Sequence, residues 1–494
     1  MQTKTEKEQI VDYLRDASNM RGGHAEKLLV PESEAEVSEV LREAFERGTP
    51  VTVSGARTGT VGGAVPMGGW ILSLEKLSEL KIDTEKRTAS AGAGVLLADL
   101  QNETDRRKLF YPPDPTEWSC QIGGNAATDA SGARSFKYGS TRNFVRALRV
   151  VLPDGDTVSL RRGECAAKDR TIIVLTEQGN EISARIPGYE RRDVRKDTSG
   201  FFAAPDVDAV DLFIGSEGLL GVITWLELEL LPKPEGLLSG VVFFDSERDL
   251  LNLVGEVKAA SLDNSQPDSL IDASLIEYFD RNSLDFIRSK FPETPADKAG
   301  AIFFEQETTT DNEDLLLEIW NETLERNNAD LDSSWFAVSE ADEEKMREFR
   351  HALPVAVNEK IVKYGQRKIG TDMAVPDRMF PQFLKFYRNI LDQSGIESVI
   401  FGHIGDNHLH ANLIPKNEEE ALRARHIYGR CIAQAIMFGG TVSAEHGIGK
   451  LKSKYLYVMY GERFINEMAE LKKSVDVKNI LNRGNMFDER FLVL

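Results

Sequence analysis

Apolar residues recur at helical spacing from 4 to 17, which predicts an amphipathic helix there. Pro31-Glu32-Ser33 opens a second helix over 34–47, with Val37, Val40, Leu41 and Ala44 on one face. A short strand at 50–53 runs straight into the glycine-rich stretch 54–63. Another strand follows at 70–74, then strand and turn at 88–95 and a helix at 96–108. Residues 147–152 and 157–160 flank an Asp-Gly turn and read as a hairpin. Leu212-Phe213-Ile214 leads into the glycines of 215–221 and a strand at 222–231. Pro232-Lys233-Pro234 then breaks the pattern.

Past residue 237 the rhythm changes. Strands at 239–244 and 301–304 alternate with helices at 246–261, 312–328, 341–350, 378–394 and 416–438. This predicts a second α+β domain, and 494 residues exceed what one core supports.

Composition narrows the partners. The formal charge of −20 disfavours nucleic acid or an anionic membrane surface, both of which call for positive protein surface. No apolar run is long enough to span a bilayer, and the first residues carry no signal-peptide core. The three cysteines, Cys120, Cys165 and Cys431, are far apart, which excludes a disulfide framework and an iron–sulfur cluster. A reducing, cytoplasmic setting is expected. Cys120 reads as a buried structural thiol, Trp118 as packing, and the acidic run 311–318 as a solvated helix face.

Three glycine-rich stretches lie in the first half, all expected at strand ends. They are 54–63, then Pro112-Pro113-Asp114-Pro115 with Ile122-Gly123-Gly124-Asn125, then Gly215-Ser216-Glu217-Gly218. Backbone N–H groups in such loops converge on a pyrophosphate because no Cβ blocks the approach. None carries the Rossmann spacing or a Walker lysine. Singly each is an ordinary turn; together they predict a long dinucleotide laid across several loops.

Near the other end, Gly402-His403-Ile404-Gly405-Asp406-Asn407-His408-Leu409-His410 is followed by Ser443-Ala444-Glu445-His446-Gly447. Four of the seven histidines sit in these two windows. Imidazoles and a carboxylate suit a borderline-soft divalent metal, and a further imidazole suits proton transfer near neutral pH. Spacing leaves two ligand pairs open. His408 and His410 share a strand face; His403 joins His410 only if Gly405-Asp406-Asn407 turns the chain.

These motifs, in this order, resemble the FAD-linked D-2-hydroxyacid dehydrogenases of the vanillyl-alcohol oxidase/p-cresol methylhydroxylase superfamily. That group includes D-lactate dehydrogenases, the glycolate oxidase flavoprotein subunit and D-2-hydroxyglutarate dehydrogenase. The resemblance implies an α+β fold: a two-subdomain FAD-binding domain (1–234), an α+β cap with an antiparallel sheet (235–455), and a C-terminal segment (456–494) returning to the flavin. It places FAD against Ser54, Gly55, Ala56, Arg57, Thr58, Gly59 and Gly63. Pro113, Asp114, Gly123, Gly124, Asn125, Ser131 and Gly132 follow. Tyr138, Gly139, Glu217, Gly218, Ile223 and Asn482 complete the set. Arg57 stands where covalent members carry histidine, so the flavin is expected without that bond.

The resemblance also implies that His403, His410 and Glu445 hold a divalent metal, zinc first with manganese or iron as alternatives. It makes His446 the base and Arg350 the substrate-carboxylate arginine, whose fork suits bidentate binding. His408 replaces a family asparagine beside the substrate, Asn407 a glycine, and Gly370 a lysine; Lys368 is the nearest stand-in for that lysine. The implied reaction oxidises a D-2-hydroxy acid, D-lactate foremost, with glycolate or D-2-hydroxyglutarate as alternatives. Hydride passes to flavin N5 and electrons go on to an electron-transferring flavoprotein, a cytochrome or a quinone. A homodimer is the expected assembly. Two other readings share the fold: a flavin transferase of the alkylglycerone-phosphate synthase type, and an inert FAD-binding subunit.

Overall fold

The second helix forms where its face and caps specify it, at Glu34–Arg47. The Ser33 side chain accepts the Glu36 N–H, and Gly48 closes the helix at φ 66°, where glycine carries no Cβ penalty. Its buried residues Val37, Val40, Leu41 and Ala44 join one apolar cluster with Leu29, Val51 and Leu72. Those partners belong to a four-stranded sheet ordered Gln2–Lys4, Lys27–Val30, Trp70–Ser73, Val51–Ser54. The structure, a computed structural model, describes residues 1–263 and 270–492.

The chain's far end returns to this sheet. The Val51 N–H donates to Ile480 O (2.8 Å) and the Asn482 N–H to Val51 O (2.9 Å). Lys472 holds the return in place. Its fully buried Nζ pairs with Asp476 Oδ2 at 2.8 Å and donates to Leu219 O and Leu481 O. Asn482 is thereby fixed beside the strand that feeds loop 54–63.

A second sheet is antiparallel and five-stranded, in the order Leu80–Asp83, Thr88–Gly92, Val222–Glu229, Val145–Val151, Thr157–Arg161. The predicted Asp-Gly hairpin forms its edge. The second half builds an eight-stranded antiparallel sheet. Its central strands are Gly300–Thr308, Ala273–Asp280, Ser398–Gly402 and His408–Leu413. This is the expected α+β fold with an antiparallel cap sheet.

Three local expectations are corrected. Residues 4–17 do not form one helix: Gln2–Lys4 pairs antiparallel with Lys27–Val30, and only Lys7–Ile10 is α-helical before a 3-10 turn at Val11–Leu14. The strand partner lies outside any local window. The helix expected at 341–350 runs Glu340–Tyr364 through Pro354. Proline withholds one N–H from the ladder, a cost the buried face Phe349, Leu353, Val357 and Ile361 outweighs. Ile122-Gly123-Gly124-Asn125 is not a loop at a strand end but the first turn of helix Ile122–Thr128.

Candidate active site: a glycine-lined cleft meeting a histidine cluster

The glycine stretches come together around one cleft. Gly55, Gly59 and Gly63 line it from the first loop, Gly123 and Gly124 from the short helix, and Gly218 from the third. A Cβ at Gly59 or Gly124 would meet no atom within 4 Å, so both glycines face open space. Such a cradle, backed by N–H groups, fits a pyrophosphate-bearing cofactor. Ala56, Arg57, Thr58, Asn125, Glu217, Ile223 and Asn482 line the same cleft.

Other predicted cofactor residues stand elsewhere. Ser54 is fully buried. Pro113 and Asp114 lie off the lining; Asp114 accepts from Gln101 Nε2 at 3.2 Å. The Tyr138 ring meets Phe110 edge-on, and Gly139 turns at φ 78°. Ser131 and Gly132 face the histidine cluster instead: Ser131 Oγ is 3.4 Å from Glu445 Oε2, and Gly132 O accepts from Lys196.

Two departures from the family acquire reasons. Arg57 adopts φ 62° and lays its guanidinium over the Tyr13 ring, 4.1 Å from the centroid. That contact offsets the left-handed backbone a glycine would accept freely. Asn407, at the position where the resemblance implies a glycine, adopts φ 54°, a conformation asparagine tolerates. It caps the 3-10 turn Ile404–Asp406 that reverses the chain between His403 and His410.

Glu217 lines the cleft, and its carboxylate is taken up by two backbone N–H groups. Oε1 accepts the Ile448 N–H at 2.6 Å and Oε2 the Gly449 N–H at 2.8 Å. Burial pushes its pKa up against those two bonds. The residue thus clamps the segment after His446 onto the third glycine stretch. Cys120 also lines the cleft, and burial pushes its thiol up to about 11.

Both ligand pairs left open by spacing converge on one acid. His403 Nε2 is 3.3 Å from Glu445 Oε2, His410 Nε2 is 3.2 Å from Oε1, and His408 Nδ1 is 3.9 Å from Oε2. One donor atom from each of the four residues lies within 4.8 Å of the others. The imidazoles are oriented from behind, as metal ligands are. His403 Nδ1 meets Glu277 Oε1 at 2.5 Å, and His410 Nδ1 meets Thr371 O at 3.0 Å. His408 is fully buried, and burial holds it neutral, with its pKa pushed down to about 3. Burial would raise Glu445, but the charges of Lys196 and His403 outweigh it and hold the carboxylate ionised. This donor set fits a divalent metal.

His446 joins the two features. It lines the glycine cleft, while its Nε2 is 3.6 Å from Glu445 Oε1 and its Nδ1 is 3.1 Å from Asp372 Oδ2. Asp372 is buried and also takes Lys452 Nζ and Ser443 Oγ. Burial would raise its pKa, but His446 and Lys452 overcome that and keep it ionised.

Arg350 sits behind the cluster, its Nε 3.6 Å from Glu277 Oε2. Burial would raise Glu277; the charges of His403 and Arg350 hold it at about 2. Lys368 is exposed, and a Cβ at Gly370 would stand 2.5 Å from Asn412 Oδ1, so the glycine leaves room for that amide.

Sequence reasoning missed Lys196, whose buried Nζ donates to Glu445 Oε2 at 3.0 Å, and Glu277. A lone acid in the apolar run 275–279 was the available signal for Glu277. Nothing local marked Lys196.

Comparison with known proteins agrees with this geometry. Residues 25–161 match the FAD binding domain model, and residues 233–486 match that of the FAD linked oxidases, C-terminal domain. A D-lactate dehydrogenase of Anaerostipes hadrus is 30% identical over 490 residues, covering 96% of this chain and 92% of that protein. The glycolate oxidase subunit GlcD of Bacillus subtilis is 28% identical, with 96% and 92% covered. Among solved structures, substrate-bound p-cresol methylhydroxylase shares the fold. Its TM-score is 0.70 at 14% identity, covering 99% of this chain and 94% of that one.

Proposed function

The chain belongs to the FAD-linked oxidases, in the D-2-hydroxyacid dehydrogenase group of the vanillyl-alcohol oxidase/p-cresol methylhydroxylase superfamily, and from that premise we propose that it oxidises a D-2-hydroxy acid, D-lactate foremost, to the 2-oxo acid. The observation that carries this is the position of His446, which lines the glycine cleft and stands at the edge of the histidine cluster. When bound, FAD takes up the two electrons and the hydrogen of the substrate Cα, and a divalent ion lowers the pKa of the substrate hydroxyl.

The chain's own residues divide the remaining work. Gly59 and Gly124 leave room for the cofactor, and Asn482 is presented to it by the returning C-terminal segment. His403, His410 and Glu445 hold the ion, with Glu277 fixing His403. His446 Nε2 takes the hydroxyl proton while Asp372 holds Nδ1. Arg350 receives the substrate carboxylate from the Glu277 side. The boundaries at 234/235 and 455/456 belong to the same proposal. They separate the flavin domain, the cap and the returning segment.

With its three cysteines apart, the reduced flavin passes electrons to an external acceptor: an electron-transferring flavoprotein, a cytochrome or a quinone. Purified protein is expected to show a flavin spectrum, bleached anaerobically by D- but not L-2-hydroxy acids. Flavin that no 2-hydroxy acid bleaches would point instead to a transferase or an inert subunit.

A further inference from the structure

We propose that His408 is a fourth protein ligand, so that the ion is gripped by three imidazoles and one carboxylate; this rests on reading the cluster as a metal site. The His408 ring is fully buried beside both His403 and His410, with centroids 5.4 Å and 4.6 Å away. Its Nδ1, the nitrogen turned to Glu445, has no hydrogen-bond partner among the described residues. A buried imidazole left in that state needs an explanation, and a coordinated ion supplies one.

Its placement repeats that of the other two rings. In His403 and His410, Nδ1 is tied to Glu277 or to a carbonyl, and Nε2 faces Glu445. In His408 the roles of the nitrogens are exchanged. Nε2 lies 3.0 Å from Asp372 Oδ1 and Nδ1 faces Glu445 Oε2 at 3.9 Å. Metal-bound imidazoles commonly present the second nitrogen to a carboxylate or carbonyl in this way. The asparagine that the family resemblance places here has no second ring nitrogen to tie back.

A fourth donor changes which ion suits the site. Four protein ligands close a tetrahedral shell, leaving no position for substrate. A 2-hydroxy acid that binds through two oxygens then makes six. The site therefore favours ions that readily accept six ligands, such as Mn²⁺, Fe²⁺ or Co²⁺, over tetrahedral Zn²⁺.

The test uses the purified full-length chain with Co²⁺ and Mn²⁺. X-ray absorption of the wild type is expected to count three imidazoles, and His408→Asn to weaken Co²⁺ binding by at least about tenfold and change its visible absorption. Two imidazoles in the wild type, or a His408→Asn protein with unchanged affinity and spectrum, would overturn the fourth ligand while leaving the metal site standing. A wild type that binds no divalent ion would overturn both. The wild-type count does not depend on the variant folding.

Discussion

Asp372 Oδ2 stands 3.1 Å from His446 Nδ1, and the same carboxylate takes the Lys452 ammonium. An acid behind an imidazole selects the tautomer and leaves Nε2 to accept a proton. Asp372→Asn is therefore expected to lower kcat by about 10²-fold or more with the flavin still bound. Steady-state kinetics beside a flavin spectrum checks this, and an unchanged kcat would remove Asp372 from the mechanism.

His446 is the base in this account. His446→Gln is expected to slow anaerobic flavin reduction by about 10²–10⁴-fold. Binding of FAD, read by fluorescence quenching, is expected to persist, because the cleft keeps its glycine lining.

Gly124 opens onto free space in the cleft. Gly124→Val places branched carbons in the cleft proposed to hold the cofactor. The FAD dissociation constant is expected to rise at least about tenfold, or about 1.4 kcal/mol. The far-ultraviolet circular dichroism spectrum is expected to remain that of the wild type.

The helix at Glu34–Arg47 was legible because every determinant is local: a serine cap, an apolar face and a terminal glycine. The helix through Pro354 was cut short because its stabilising contacts come from the cap core rather than its own sequence. The histidine windows were legible for the same reason of short range. Their spacing left two ligand pairs, and the turn at Asn407 brings all three rings to Glu445. Glu277 and Lys196 were not legible. Each matters through contacts with residues far away in sequence, His403 for Glu277 and Glu445 for Lys196.

Lys472 and Asp476 form a fully buried ion pair that anchors the returning segment. Lys472→Ala leaves the buried carboxylate without its counter-charge and is expected to cost about 3–5 kcal/mol of stability. Thermal unfolding measures this loss.

Lys450 offers a pH test. Burial lowers its pKa from 10.5 to about 8, against the attraction of Glu217. Between those values the unfolded chain binds more protons than the folded one, so this group makes stability rise with pH across that window. Relative to Lys450→Met, the wild type is expected to gain melting temperature from pH 8 to 10. A difference that stays constant would place the Lys450 pKa at its ordinary value.

The union of metal site and flavin cleft is tested most directly by anaerobic flavin reduction with D-lactate before and after the divalent ion is stripped. The account predicts full bleaching in the loaded protein, none in protein verified to be free of metal, and recovery when the ion is restored. Undiminished bleaching in the stripped protein would contradict it.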